Sequence, residues 1–317
     1  MRRFLTAIAV VSFSLVLQGQ AWIAPKDTMT VALSYQYGFV KHHYFSDGSE
    51  VDAGHITSHS ATLQMAYSVS DKLAFSAAVP FVMARYNGSI PHALPIDGGD
   101  YHGSLQDYRF DTRYQFTRGS VALTPFAGFT LPSHHYAYFA HSAIGRDLRE
   151  TAVGFDTGVT DLFAHFRGCG CPTATYLQSR LSYSFVERVL GIRHDHANLD
   201  LDLGYFVTEK FGVRALAAYN RTFGGINHDP VNCTWCTPES PLFIHHDQLL
   251  AERHVNVGAG ASYAVNEKFD AFTSLFHTIA GRNGHKMEVA AIVGVAWSFA
   301  PRVSGHQYAM PSSSSPK

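Results

Sequence analysis

The feature that most constrains this chain is an alternation of apolar and polar residues that runs far past the length of an ordinary strand. From Thr28 onward, Met29, Val31, Leu33, Tyr35, Tyr37 and Phe39 fall on one face, and Thr30, Ala32, Ser34, Gln36 and Gly38 fall on the other. Successive side chains of a strand point to opposite faces, so this stretch is apolar on one side only. Soluble strands average about 5–6 residues, whereas a tilted strand crossing a bilayer needs roughly 9–11. Met287 to Phe299 repeats the pattern, with Met287, Val289, Ala291, Val293, Val295, Trp297 and Phe299 on one face.

A turn formula occurs three times: Y-S-V-S-D-K-L from Tyr67, Y-F-V-T-E-K-F from Tyr205 and Y-A-V-N-E-K-F from Tyr263. Tyr and Val two residues apart share a strand face, and the acid–Lys step suits a tight antiparallel turn. Around these hairpins the chain reads as about twelve strands, an even number. They are Thr28 to Phe39, Thr57 to Val69, Lys72 to Ala84, Leu105 to Phe116, Val121 to Leu131, Thr151 to Arg167, Leu177 to Phe185, Leu199 to Val207, Phe211 to Tyr219, Val255 to Val265, Phe269 to Ile279 and Met287 to Phe299. The sixth changes phase near Asp161, which predicts a bulge. Connections after strands 2, 4, 6, 8 and 10 read as short. Those after strands 1, 3, 5 and 9 read as long and rich in Gly, Pro, His and Asp.

Long loops at one end and tight turns at the other are expected of an all-β, transmembrane, antiparallel up-and-down barrel in a bacterial outer membrane, with the turns facing the periplasm. Composition agrees: 46% hydrophobic, 13% aromatic, only 15% charged, with 26 Gly in 317 residues. The near-balanced charge, 24 basic against 25 acidic side chains, asks for no nucleic acid. Arg2 and Arg3 followed by the apolar run from Phe4 to Leu17 read as a signal peptide over residues 1–21, too short to span a bilayer. Residues 22–299 then form the barrel, and the Pro- and Ser-rich residues 300–317 read as a disordered tail.

The charged side chains settle which face is wet. Asp107, Arg109, Asp111 and Arg113 alternate along one strand, with Arg180, Asp200, Asp202 and Arg214 on later ones. Lys or Arg facing lipid at the midplane costs about 2–4 kcal/mol, so these groups are expected inside the lumen. They form either a solvated, paired wall or a filter that selects solutes.

The segments A-A-V-P-F at Ala77 to Phe81, G-S-L-Q-D-Y-R-F-D-T-R-Y at Gly103 to Tyr114, T-L-P at Thr130 to Pro132, G-F-D-T-G-V-T-D at Gly154 to Asp161 and L-D-L-G-Y at Leu201 to Tyr205 occur in an order that resembles a known family. It is the family of outer-membrane barrels associated with the meta-pathway of phenol degradation. The resemblance implies an outer-membrane barrel engaged in solute transport, and it carries over no ligand and no catalytic residue. Two features depart from the family: its G-x-G-D turn is loosened to Gly103–Asp107, and the chain runs on past Phe299.

The 19 His crowd toward the long-loop end, and only His165 and His306 lie away from it. Paired imidazoles at His42 and His43, His134 and His135, and His245 and His246 are candidate ligands for Zn or Cu, against the plainer reading of a His-rich polar surface. Cys233 and Cys236 are expected to form a disulfide, whereas pairing of Cys169 with Cys171 stays open because so short a ring is strained. Ser58 with His59 and Ser274 with His277 stand close in sequence, but no nucleophile motif accompanies them and no enzyme is expected. The reading is therefore a channel or transporter for small, hydrophobic or aromatic solutes with a charged lumen. The alternative is a largely closed barrel whose His-rich loops bind transition metal or a partner.

Overall fold

A computed structural model of the chain describes residues 21–88, 98–117, 119–136, 145–162, 174–237 and 240–299. Residues 1–20 of the expected signal peptide, His92, His141, His165, His306, Cys169, Cys171 and residues 300–317 lie outside the described residues. The strands are β1 (Met29–Tyr44), β2 (Glu50–Ser68), β3 (Leu73–Asn87), β4 (His102–Leu105), β5 (Asp107–Tyr114), β6 (Val121–Pro132), β7 (Glu150–Thr160), β8 (Thr175–Val186), β9 (His194–Phe206), β10 (Phe211–Gly224), β11 (Arg253–Asn266), β12 (Phe269–Arg282) and β13 (Gly284–Phe299). All pair antiparallel in sequence order, and β1 closes on β13, with Met29 opposite Phe299. Because β4 and β5 both pair with β3, they are two pieces of one stave, and the closed barrel has the twelve staves expected.

The break in that stave has a local cause. Pro80 on β3 has no N–H to give the ladder. Opposite it the chain leaves the strand at Gln106, whose N–H donates to the Pro80 carbonyl at 3.0 Å. Alternation along β5 turns Asp107 inward, and the irregularity buries Gln106 beside it.

The barrel wall obeys the alternation. Leu33, Tyr35, Leu63, Phe75, Leu123, Phe129, Val153, Leu181, Leu203, Leu275, Val295 and Trp297 are exposed on the outside. Thr30, Thr62, Gln64, Thr124, Gln178, Ser182, Ser184 and Ser274 are buried within. A closed barrel satisfies every ladder group between strands, so such an outer face belongs in lipid. Tyr67, Tyr205 and Tyr263 stand exposed on it at the repeated-turn rim. Two of those turns are built alike: the Ser70 hydroxyl accepts the N–H groups of Lys72 and Leu73, and the Thr208 hydroxyl accepts those of Lys210 and Phe211. The third is tighter, with Asn266 directly opposite Phe269.

Two boundaries differ from the sequence reading. β7 ends at Thr160, and Asp161, where the sequence predicts a bulge, turns the chain with φ 51°; residues 163–167 of the expected strand lie outside the described residues. At the opposite rim, β1 and β2 run to 16 and 19 residues, which leaves only residues 45–49 where a long loop was expected. There the staves continue beyond the apolar belt as a polar ladder. His42 Nδ1 meets Glu288 Oε1 at 2.6 Å, Lys286 Nζ donates to Glu50 Oε2 at 2.9 Å, and Lys41 lies 3.4 Å from Asp52. Reading strands by apolar alternation stops where these cross-strand charges take over.

If the outer face meets lipid, Leu63→Arg at the middle of the belt destabilises the barrel by about 2–4 kcal/mol. Urea unfolding of protein folded into vesicles measures this, and an unchanged midpoint would place that face outside the bilayer.

Candidate functional site

The inward faces of β5 to β9 bring the charged residues of the sequence together at mid-barrel. Register sets Asp156 on β7 opposite Arg180 on β8, and Arg180 opposite Asp200 on β9. The Arg180 guanidinium lies 3.4 Å from Asp111 Oδ1 and 3.7 Å from Asp156 Oδ1, and its plane sits 3.7 Å above the Phe126 ring. Arg113, also buried, stands opposite Phe126 in the β5–β6 register. Small residues make the room: a Cβ at Gly128 would strike the Asp111 carboxylate. A second pair lies beside this cluster, where Arg214 Nη1 is 3.4 Å from Asp202 Oδ2 and Arg214 Nη2 donates to Ser274 Oγ at 2.9 Å. Arg109 is half-buried on the same face of β5.

Asp107 has a different job from its neighbours. Its Oδ1 accepts the Tyr136 hydroxyl at 2.8 Å and its Oδ2 accepts the Arg146 N–H at 2.7 Å, so it ties the loop between β6 and β7 down into the mouth. Arg146 carries the tie onward. Its Nη2 donates to the Gln248 carbonyl at 2.7 Å, and Gln248 Nε2 donates back to the Arg146 carbonyl at 2.7 Å. Two outer loops are thus joined across the opening.

Two parts of the interior went unread in the sequence. One is apolar: Ala32, Leu216, Phe272, Phe276, Ala290, Ile292 and Ala296 form a buried cluster on β1, β10, β12 and β13, bordered by the Arg214–Asp202 pair, since Arg214 reaches Ser274 between Phe272 and Phe276. Ile292, an apolar residue on the small and polar face of the last strand, was its signal. The other is the segment before β1. The Ala21 N–H donates to Gln178 Oε1 at 3.1 Å, the Thr124 hydroxyl donates to the Ala21 carbonyl at 2.6 Å, and the Ile23 N–H donates to Gln115 Oε1 at 3.1 Å. These partners are inward groups at the repeated-turn end of the lumen, so residues 21–23 lie inside the barrel there. Gly158 is required beneath them, because a Cβ would collide with the Trp22 ring.

The histidine pairs do not act as pairs. His42 turns to Glu288, whereas the neighbouring His43 is buried with its ring 3.9 Å from that of His285. His246 Nε2 and His285 Nε2 lie 3.2 Å and 3.6 Å from Asp247 Oδ1, so His43 and His246 reach one neighbourhood from opposite ends of the chain. His134 meets the hydroxyls of Ser104 and Ser133, His135 meets Asp147, and His245 meets Gln248. Ser274 faces Arg214 inside, while His277 is exposed outside and bonded to the Glu288 carbonyl, so these two do not meet. Cys233 and Cys236 are disulfide-bonded, with Cα atoms 5.4 Å apart. They sit on a small apolar core of Trp235, Phe243 and Leu250, next to the short helices α1 (Pro241–Ile244) and α2 (His246–Leu249). Burial lowers the pKa of His228 in the same loop, opposed by the Asp247 charge, and so favours the neutral ring.

No protein-family model matches the chain, and no curated protein does. Among solved structures, an outer membrane channel from Pseudomonas putida F1 superposes with a TM-score of 0.64 at 13% identity, over 89% of this chain and 98% of the channel. The translocator domain of the autotransporter NalP from Neisseria meningitidis gives a TM-score of 0.47 at 13% identity, over 87% of this chain and 90% of its own. NanC porin gives 0.46 at 8% identity, over 85% and 98%. The likeness to the Pseudomonas channel is one of fold, and the fold is that of bacterial outer-membrane barrels.

Arg180 neutralises several carboxylates at once, so its loss leaves buried charge unpaired. Arg180→Leu is expected to destabilise the folded barrel by about 3–5 kcal/mol, and adding Asp156→Leu should recover part of that loss. Denaturant midpoints of the two variants in vesicles give the comparison.

Proposed function

We propose that this protein is an outer-membrane channel for small solutes that carry an apolar or aromatic body and a polar or ionised end. The observation that carries this reading is the two-sided interior, with Asp111, Arg113, Asp156 and Arg180 on β5, β7 and β8 and with Phe272, Phe276 and Ile292 on β12 and β13 across the ring of staves. A solute with both kinds of surface finds partners on both walls, as ligand sites generally combine apolar lining with a few placed polar groups. The same charged residues, with Asp200, Asp202 and Arg214 beside them, serve as the filter. The Pseudomonas channel, built on the same kind of barrel, supports transport over catalysis.

Passage in this reading is regulated by what already crosses the lumen: the Arg146–Gln248 junction at the mouth, the Arg180 cluster at mid-barrel and the segment at residues 22–23 at the turn-bearing rim. With the leader expected over residues 1–21 removed, that segment rests on hydrogen bonds from the Ile23 N–H to Gln115 Oε1 and from Trp22 Nε1 to the Gly119 carbonyl. Each is worth about 0.5–1.5 kcal/mol net, so the segment is the easiest of the three to displace.

Planar-bilayer recordings test the proposal. The full chain should pass a small current, and refolded protein lacking residues 1–25 a several-fold larger one. Vesicles containing the shortened protein should swell faster in sodium benzoate than in sodium gluconate. Folded barrels that give no current and no swelling in either form would overturn the channel reading.

A further inference from the structure

The long outer loop between β10 and β11 contains a donor set that the channel reading leaves unused. One nitrogen of His228 and the two sulfurs of Cys233 and Cys236 all lie within 4.8 Å of one another. We propose that, in the dithiol state of this loop, Cys233, Cys236 and His228 form a binding site for a thiophilic transition-metal ion, Zn²⁺ or Cu⁺. The disulfide form closes that site.

Four features support it. The C-x-x-C spacing is that of metal-binding knuckles, in which both sulfurs reach one ion. With Zn–S bonds of about 2.3 Å the two sulfurs stand roughly 3.8 Å apart in a tetrahedral site, which cysteines with Cα atoms 5.4 Å apart reach by side-chain rotation. The third donor is held in place from both sides of its peptide unit: the His228 N–H donates to Asn283 Oδ1 at 2.8 Å, and its carbonyl accepts the Ser46 N–H at 2.8 Å. The ring is fixed between Phe45 and Trp235, and its buried Nδ1 has no hydrogen-bond partner among the described residues.

The surroundings favour a metal over free thiolates. Ile226, Leu242, Trp235, Phe243 and Leu250 make the pocket apolar, where isolated negative charge is costly. Two thiolates and a neutral imidazole around Zn²⁺ have no net charge, and soft sulfur ligands select Zn and Cu⁺ over harder ions. The redox step balances simply. Two equivalents of a small-molecule thiol supply two electrons and two protons, converting the protein disulfide to two thiols while they join as one disulfide, and metal binding then releases the two protons. This site differs from the histidine pairs singled out in the sequence. It also stands or falls apart from conductance.

Cobalt titration of the full chain, folded in detergent and reduced with a phosphine, provides the test. Co²⁺ bound to thiolate shows an intense sulfur-to-metal charge-transfer band, which imidazole-only sites lack. The reduced protein should take up one equivalent of Co²⁺ with that band and release it to Zn²⁺, while the oxidised protein should not show it. Cys233→Ser and Cys236→Ser should each lose most of the band, and His228→Ala should keep a weaker band with roughly tenfold or greater loss of affinity. Since all three residues lie in a loop outside the barrel wall, an unchanged denaturation midpoint confirms that each variant is folded. A reduced protein with no charge-transfer band, or a band that survives in both serine variants, would overturn the site.

Discussion

Everything in this structure depends on one constraint of the bilayer. A strand in hydrocarbon must have its backbone paired on both sides, and none of its ionised side chains may face out. Closure of β1 on β13 meets the first condition. Alternation meets the second, because it sends Leu181 and Phe185 outward from the same strand that sends Arg180, Ser182 and Ser184 in. The barrel thereby collects its charge in a space too narrow to dissolve it, and the residues there have to satisfy one another. Arg180 between Asp111 and Asp156, and Arg214 between Asp202 and Ser274, are what that requirement produces.

The functional reading follows from how unevenly the interior is divided. The charged residues lie on β5 to β10, while Phe272, Phe276 and Ile292 bring apolar surface to β12 and β13. Chain from outside the wall then enters both ends. Residues 21–23 occupy the end near the tight turns, and the loop anchored on Asp107 covers the other, joined there to the loop that carries the disulfide. In the proposed channel, passage of a solute involves moving polar contacts of modest strength, not widening a rigid wall.

The wall was legible in the sequence because period-2 alternation is enforced by lipid at every strand. The inward position of Arg113, Arg180, Asp202 and Arg214 followed from it directly. What escaped was set by contacts distant in sequence. The polar extensions of β1, β2 and β13 carry no apolar pattern and are held by pairs such as Lys286 with Glu50. Asp156 lay unremarked between Gly154, where a Cβ would meet the Phe126 ring, and Gly158, where one would meet the Trp22 ring. Phe272 and Phe276 alternate with Ala271, Thr273 and Leu275, so neither face of β12 announces itself as the lumen. Residues 21–23 have no periodicity at all, and their place is decided by Gln115, Thr124 and Gln178. Neighbours in extended chain point apart, so His43 meets His285 and not His42, a contact no local pattern shows.

The central claim, that lipid lies against one face of each stave and a packed polar lumen against the other, is tested most directly by single spin labels placed in turn along β8 from Leu177 to Phe185 in vesicles. The account predicts high collision rates with dissolved oxygen at Leu181, Tyr183 and Phe185, and low rates with both oxygen and a water-soluble nickel chelate at Arg180, Ser182 and Ser184. Oxygen accessibility with no two-residue period, or one that peaks at Arg180 and Ser182, would contradict it.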